Sequence, residues 1–74
     1  MREYVIDVGG IEELQTLKDV DALDHIFSRA KSTIVNGEKV LLVRKDRSGK
    51  SEKFDELTTL EELKDYVKRV MKYL

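Results

Sequence analysis

Two segments of the chain, forty residues apart, share one spacing of apolar side chains. Residues 17–29 align with residues 57–69, and each apolar helical position in one segment has an apolar counterpart in the other. The identical pairs are Leu17/Leu57, Leu23/Leu63 and Arg29/Arg69. Internal similarity constrains architecture before local detail does. The 74 residues are therefore interpreted as a single domain with a pseudo-repeat, 1–37 and 38–74.

The first half predicts two strands and a helix. Residues 2–8 alternate apolar and polar side chains, which is typical of a half-buried strand. Gly9-Gly10 suits a tight turn, and residues 11–17 are interpreted as a second, weaker strand. A helix then begins after Asp19 or Asp21, because a carboxylate accepts hydrogen bonds from the first free amides. Its apolar stripe comprises Val20, Leu23, Ile26, Phe27, Ala30 and Ile34.

The second half predicts the same order. Residues 39–45 form the most apolar strand, and the polar turn 46–49 leads into a charged strand at 50–56. Residues 59–62 have the pattern of a capping box, in which Thr and Glu side chains each satisfy a free amide. The apolar stripe of the last helix comprises Leu60, Leu63, Tyr66, Val67, Val70, Met71 and Leu74.

Two strand-strand-helix units predict an α+β fold of type ββα-ββα. We expect a four-stranded antiparallel sheet in the order 2-1-3-4, with two helices on one face and the charged strands at the edges. Phe54 is expected to face inward, like Leu14 in the first half. The repeat favours a first helix that includes 32–35 and stops at Asn36-Gly37. The alternative makes 32–35 a strand, which its β-branched residues favour.

The strand at 39–45 is apolar on both of its faces. If Val40 and Leu42 face the helices, Leu41 and Val43 face away from them, close to Val5. A sheet covered on one side should alternate apolar and polar residues, so an apolar patch on the open face indicates a covered surface. Single exposed apolar residues are nevertheless normal in proteins. Val5, Leu41 and Val43 are the predicted interface, to a second copy in a homodimer or to another protein partner.

Basic residues are concentrated in the hairpin 39–53. Residues 1–37 hold four basic and seven acidic side chains, net −3, whereas residues 38–74 hold ten and eight, net +2. Contacts to phosphates are mainly electrostatic, so the hairpin offers candidate anion or nucleic-acid contacts. These are Arg44, Lys45, Arg47, Lys50 and Lys53. A sequence pI near 5.8 argues against a nucleic-acid binder, whose pI often exceeds about 9.

Motifs for phosphate or metal binding are incomplete. Gly49-Lys50-Ser51 resembles the end of a phosphate-binding loop, but Arg44 stands where that loop needs a glycine. Asp19, Asp21 and Asp24 lack the glycine and the bidentate glutamate of a calcium loop. Carboxylates in the first turn of a helix are explained by its dipole. No metal or cofactor site is predicted.

The sequence also lacks a catalytic constellation. His25 is the only histidine and there is no cysteine, so the usual nucleophile and base pair is missing. Adjacent carboxylates such as those in Glu12-Glu13 point in different directions, whereas acid–base work needs one of them buried or crowded. No catalytic residue is predicted, and the chain is interpreted as a non-enzyme.

The remaining composition points to a cytoplasmic protein. The absence of cysteine excludes a disulfide scaffold, no apolar run approaches the length of a membrane span, and no signal peptide is recognisable at the start. The functional prediction is a small non-enzymatic interaction module in the cytoplasm that self-associates through the open sheet face. The alternative is a nucleic-acid accessory protein that uses the basic hairpin 39–53.

Overall fold

The computed structural model describes residues 3–74 and contains a three-stranded sheet and three helices. The elements in chain order are β1 (Glu3–Asp7), α1 (Val8–Leu17), α2 (Val20–Val35), β2 (Lys39–Lys45), β3 (Ser51–Leu57) and α3 (Leu60–Met71). Arg2, where the first predicted strand began, lies outside the described residues. The class is α+β, as the sequence predicted. None of the helices in residues 3–74 is long and apolar enough to span a bilayer.

The sheet is mixed, with strand order β1-β2-β3. β1 runs parallel to β2, with Tyr4 beside Val40 and Ile6 beside Leu42. A parallel pair needs a long crossover between its strands, and α1 and α2 together supply it. β2 and β3 form an antiparallel hairpin whose register shifts at Phe54, the extra residue of a β-bulge.

This architecture corrects the predicted fold. The four-stranded antiparallel sheet with order 2-1-3-4 is wrong, and so is the duplicated ββα-ββα unit, because residues 3–37 fold as strand-helix-helix. The expected strand at 11–17 is the greater part of helix α1. Gly9-Gly10 lies inside the first turn of that helix, and neither glycine has a positive φ.

Local chemistry explains helix α1. The Asp7 carboxylate accepts a hydrogen bond from the Gly9 amide at 3.0 Å, which satisfies one of the free amides at the helix start. Apolar residues then recur every three positions, so that Ile11 is buried in the core and Leu14 packs at its margin. The helix ends at Lys18, a non-glycine residue with φ 55°.

The ends of α2 and the start of α3 agree with the sequence prediction, whereas α3 ends at Met71, before Leu74 of its predicted apolar stripe. Residues 32–35 are helical, and Asn36-Gly37 stops α2 with Gly37 at φ 80°. The Gly37 amide donates to the Ile34 carbonyl at 2.9 Å, and the next amide donates to the Thr33 carbonyl, as in a Schellman motif. Helix α3 begins with the predicted capping box of Thr59 and Glu62.

One apolar core joins the sheet to the helices. The sheet contributes Ile6, Val40, Leu42 and Leu57, and the helices contribute Ile11, Leu23, Phe27, Ala30, Ile34, Leu63 and Val70. Phe27 and Tyr66 meet edge to face across α2 and α3, with ring centroids 6.1 Å apart. The helices therefore pack on one face of the sheet, and among residues 3–74 no helix covers the other face.

Candidate interaction surfaces

The open face of the sheet carries the three residues predicted as an interface. Since Val40 and Leu42 point into the core, alternation along β2 turns Leu41 and Val43 to the opposite side. Val5 pairs with Leu41 in the β1–β2 register. The structure therefore brings Val5, Leu41 and Val43 together, and their role as an interface stays a prediction.

The three side chains differ in how much surface they offer. Val5 is 53% exposed, Leu41 is half-buried, and Val43 is only 8% exposed. Val43 lies outside the core cluster although it is buried, and its register partners are Asp7 on β1 and Lys53 on β3. Val5 and Leu41 form the accessible centre of this patch.

Charged residues surround the apolar centre unevenly. Strand β1 places Glu3 and Asp7 on the same side as Val5, whereas β2 and β3 supply a mainly basic border. That border comprises Lys39, Lys45, Lys53 and Glu56. The open face thus has an acidic edge along β1 and a basic edge along β2 and β3.

Glu56 links two lysines of the basic border. Its Oε2 lies 3.7 Å from Lys39 Nζ and 3.5 Å from Lys53 Nζ, but it accepts no hydrogen bond from the described residues. One carboxylate between two ammonium groups leaves a net positive charge beside Leu41. The basic edge therefore keeps a net positive charge despite these two ion pairs.

The predicted phosphate-contacting residues of the hairpin do not form one free cationic surface. Arg44 points to the helical side and forms an ion pair with Glu12 of α1, and Lys53 is engaged by Glu56. Lys45, Arg47 and Lys50 form no ion pair within residues 3–74. Charge available for an anion is thus concentrated near the hairpin turn.

Asp46 organises that turn. Its carboxylate accepts hydrogen bonds from the Ser48 hydroxyl at 2.6 Å and from the Ser48 and Lys50 amides. The Ser48 hydroxyl hydrogen bond is the main reason why the pKa of Asp46 lies below its usual value. Gly49 completes the turn with φ 83°, a backbone conformation that favours glycine. Gly49 therefore has a structural role, in keeping with the incomplete phosphate-binding motif.

Phe54 contradicts the sequence prediction. It was expected to face the core, yet it is 57% exposed and borders a shallow concavity of about 350 Å³. Arg44, Lys45, Asp46, Glu52 and Lys53 line the same concavity. The bulge at Phe54 breaks the alternation on which the prediction depended. An exposed aromatic ring beside cationic side chains was the feature that sequence periodicity missed.

Candidate catalytic and metal-binding residues remain dispersed. His25 is exposed on α2, and Asp19 caps that helix by accepting a hydrogen bond from the Ala22 amide at 3.1 Å. Within residues 3–74, no group of three or more His, Asp or Glu side chains is arranged to hold a metal ion. Burial raises the pKa of the Tyr66 hydroxyl, which packs between α1 and α2, while nearby Arg69 lowers this pKa and Glu12 raises it.

Comparisons with known proteins do not add a function to this geometry. Neither the protein-family models nor the curated proteins nor the solved structures contain a match to the chain.

Proposed function

We propose that the chain is a small non-enzymatic interaction module that pairs with a second copy of itself through the open sheet face. The observation that supports this is the arrangement of that face, an apolar centre at Val5 and Leu41 between an acidic and a basic edge. A two-fold interface brings the same patch of both copies together. With the two-fold axis parallel to the strands, the acidic β1 edge of each copy lies against the basic edge of the other.

The size of the face limits the strength of such an interface. The molecule measures 31 × 29 × 16 Å along its principal axes, so its broad sides are much larger than its rims. A standard protein interface buries about 800 Å² on each partner, which is comparable with one broad side. Three strands about 4.8 Å apart cover only part of that side, so we expect a weak pair that forms as the protein concentration rises.

Pairing through the free edge of β1 is a less favourable route. Two β1 strands that pair antiparallel around Val5 place Glu3 of one copy directly opposite Asp7 of the other. Like charges in opposed positions of a sheet are destabilising. Face-to-face association avoids this repulsion.

Light scattering over a wide protein concentration range tests the proposal. The wild-type chain should change from monomer to dimer mass as concentration rises. Val5→Lys should shift that transition to at least about tenfold higher concentration, because it removes apolar contact and sets a cation against the basic edge of the partner. Far-UV circular dichroism checks that the variant is folded.

Val35→Lys is the matched control. Val35 is 64% exposed at the end of α2, so the substitution changes a valine of comparable exposure in the same way, on a helix instead of the open sheet face. It should leave the dimer unchanged. A wild-type chain that stays monomeric, or a dimer equally weakened by both substitutions, contradicts the proposal.

The second candidate is single-stranded nucleic-acid binding at the hairpin, supported by exposed Phe54 among cations. Bases stack on exposed aromatic rings while lysine and arginine contact the backbone. Titration with a labelled oligothymidine separates the two functions. Binding that falls with Phe54→Ser and with rising salt favours this candidate, and absence of binding at low salt removes it.

A further inference from the structure

A second apolar surface lies in the helical layer, between α2 and α3. Leu60, Leu63 and Val67 of α3 line a groove of about 450 Å³, which α2 closes on one side with Lys31. Leu63 is buried beneath it, whereas Leu60 is 45% exposed and open to a partner. The groove belongs to the helical side and shares no residue with the open sheet face.

Three lysines form the rim of this groove. Lys31 comes from α2, and Lys64 and Lys68 lie one helical turn apart on α3. All three are exposed, and none forms an ion pair with a carboxylate within residues 3–74. An apolar floor with an unpaired cationic rim is complementary to a ligand that is apolar on one side and acidic at its borders.

We propose that this groove binds an acidic amphipathic helix of a partner protein. A helix that binds in a groove inserts apolar anchors at helical spacing, and this groove extends along α3 from Leu60 to Lys68, about 12 Å. Aspartate or glutamate on the flanks of the incoming helix would pair with Lys64 and Lys68. A single hydrocarbon chain fits less well, because ligand sites normally bury about 70–90% of a small ligand and this groove is open along one side.

Fluorescence anisotropy with a synthetic peptide tests the proposal. The probe is a labelled amphipathic peptide of about four helical turns, with leucines along one face and glutamates on both flanks. A second peptide carries lysine in place of each glutamate. The wild-type chain should bind the glutamate peptide and not the lysine peptide.

Charge reversal at the rim should invert this preference. The double variant Lys64→Glu/Lys68→Glu should lose about tenfold or more in affinity for the glutamate peptide and gain affinity for the lysine peptide. Lys50→Glu/Lys72→Glu is the matched control, because it changes the net charge equally at exposed positions outside the groove. The control should bind the glutamate peptide nearly as well as the wild type.

Two further variants complete the design. Leu60→Ser should weaken binding of the glutamate peptide by removing the exposed part of the apolar floor. Val5→Lys should leave the affinity unchanged, which separates this inference from self-association. No binding at peptide concentrations up to about 1 mM, equal binding of both peptides, or equal loss in the matched control would overturn the proposal.

Discussion

Glu62 illustrates how one exposed side chain can stabilise a helix start. Its Oε1 accepts hydrogen bonds from the amides and hydroxyls of Thr58 and Thr59, at 3.0 to 3.3 Å. These hydrogen bonds, first of all that from the Thr58 amide, hold the pKa of Glu62 below its ordinary value of 4.5. The unfolded chain therefore binds a proton at this carboxylate more readily than the folded chain does.

The stabilisation from Glu62 should accordingly be complete above pH 4.5 and decline as the pH falls below that value. Glu62→Gln keeps an acceptor oxygen in the capping box but does not titrate. Urea unfolding at a series of pH values should show a smaller loss of stability on acidification for this variant than for the wild type. Glu61→Gln, a neighbour without these hydrogen bonds, is the control and should follow the wild type more closely. Parallel acid profiles of Glu62→Gln and wild type would contradict the prediction.

Helix α1 gives a prediction at the scale of a whole element. Gly10 lies within the helix without a positive φ, and a Cβ added there has no atom within 4 Å. Alanine loses less backbone entropy than glycine in a helix, so Gly10→Ala should raise the free energy of unfolding by about 0.5–1 kcal/mol. Thermal unfolding should show a rise in Tm of about 4 °C.

The same substitution distinguishes the helix from the hairpin turn that Gly9-Gly10 resembles in the sequence. A turn that needs positive φ would be destabilised by alanine. Gly9→Ala serves as the comparison, because its Cβ would lie 3.3 Å from the capping Asp7 Oδ1 and should gain less. A loss of stability in Gly10→Ala would contradict the helical assignment.

The sequence predicted those helices and strands for which apolar spacing, capping residues and turn residues all indicate the same structure. The strand 39–45, the polar turn after it and the helices α2 and α3 were all recognisable, since apolar spacing and capping residues point to the same structure there. In α1, paired glycines favoured a turn, while the three-residue spacing of Ile11, Leu14 and Leu17 favoured a helix. Packing of Ile11 against the core decides in favour of the helix.

The pairing of the strands and the composition of the surfaces depend on contacts between residues far apart in the sequence, which short-range patterns do not contain. Reading α1 as a strand removed the helical crossover, so the parallel pairing of β1 with β2 could not be found. The position of Phe54 depends on a bulge, which shifts the alternation without a clear sequence signal. The groove at Leu60 was missed because its rim combines lysines from two helices that meet only in the folded chain.

For the whole molecule, the two proposed surfaces belong to different layers. The sheet face would join two copies, while each copy keeps its lysine-rimmed groove in the helical layer. The dimer would then present two grooves, each of which binds one acidic helix of the same kind. Two linked sites raise the overall affinity for a multivalent partner without any new contact, provided that both can be occupied together.

This arrangement predicts that avidity depends on Val5. On a surface coated densely with the glutamate peptide, the wild-type dimer should dissociate at least about tenfold more slowly than the Val5→Lys monomer, because one groove stays bound while the other releases. On a sparsely coated surface, where only one groove is occupied at a time, the two dissociation rates should converge. Val35→Lys, which keeps the sheet face intact, should retain the slow dissociation. Equal rates for the wild type and Val5→Lys on the dense surface would mean that dimerisation and groove binding are not combined in one assembly.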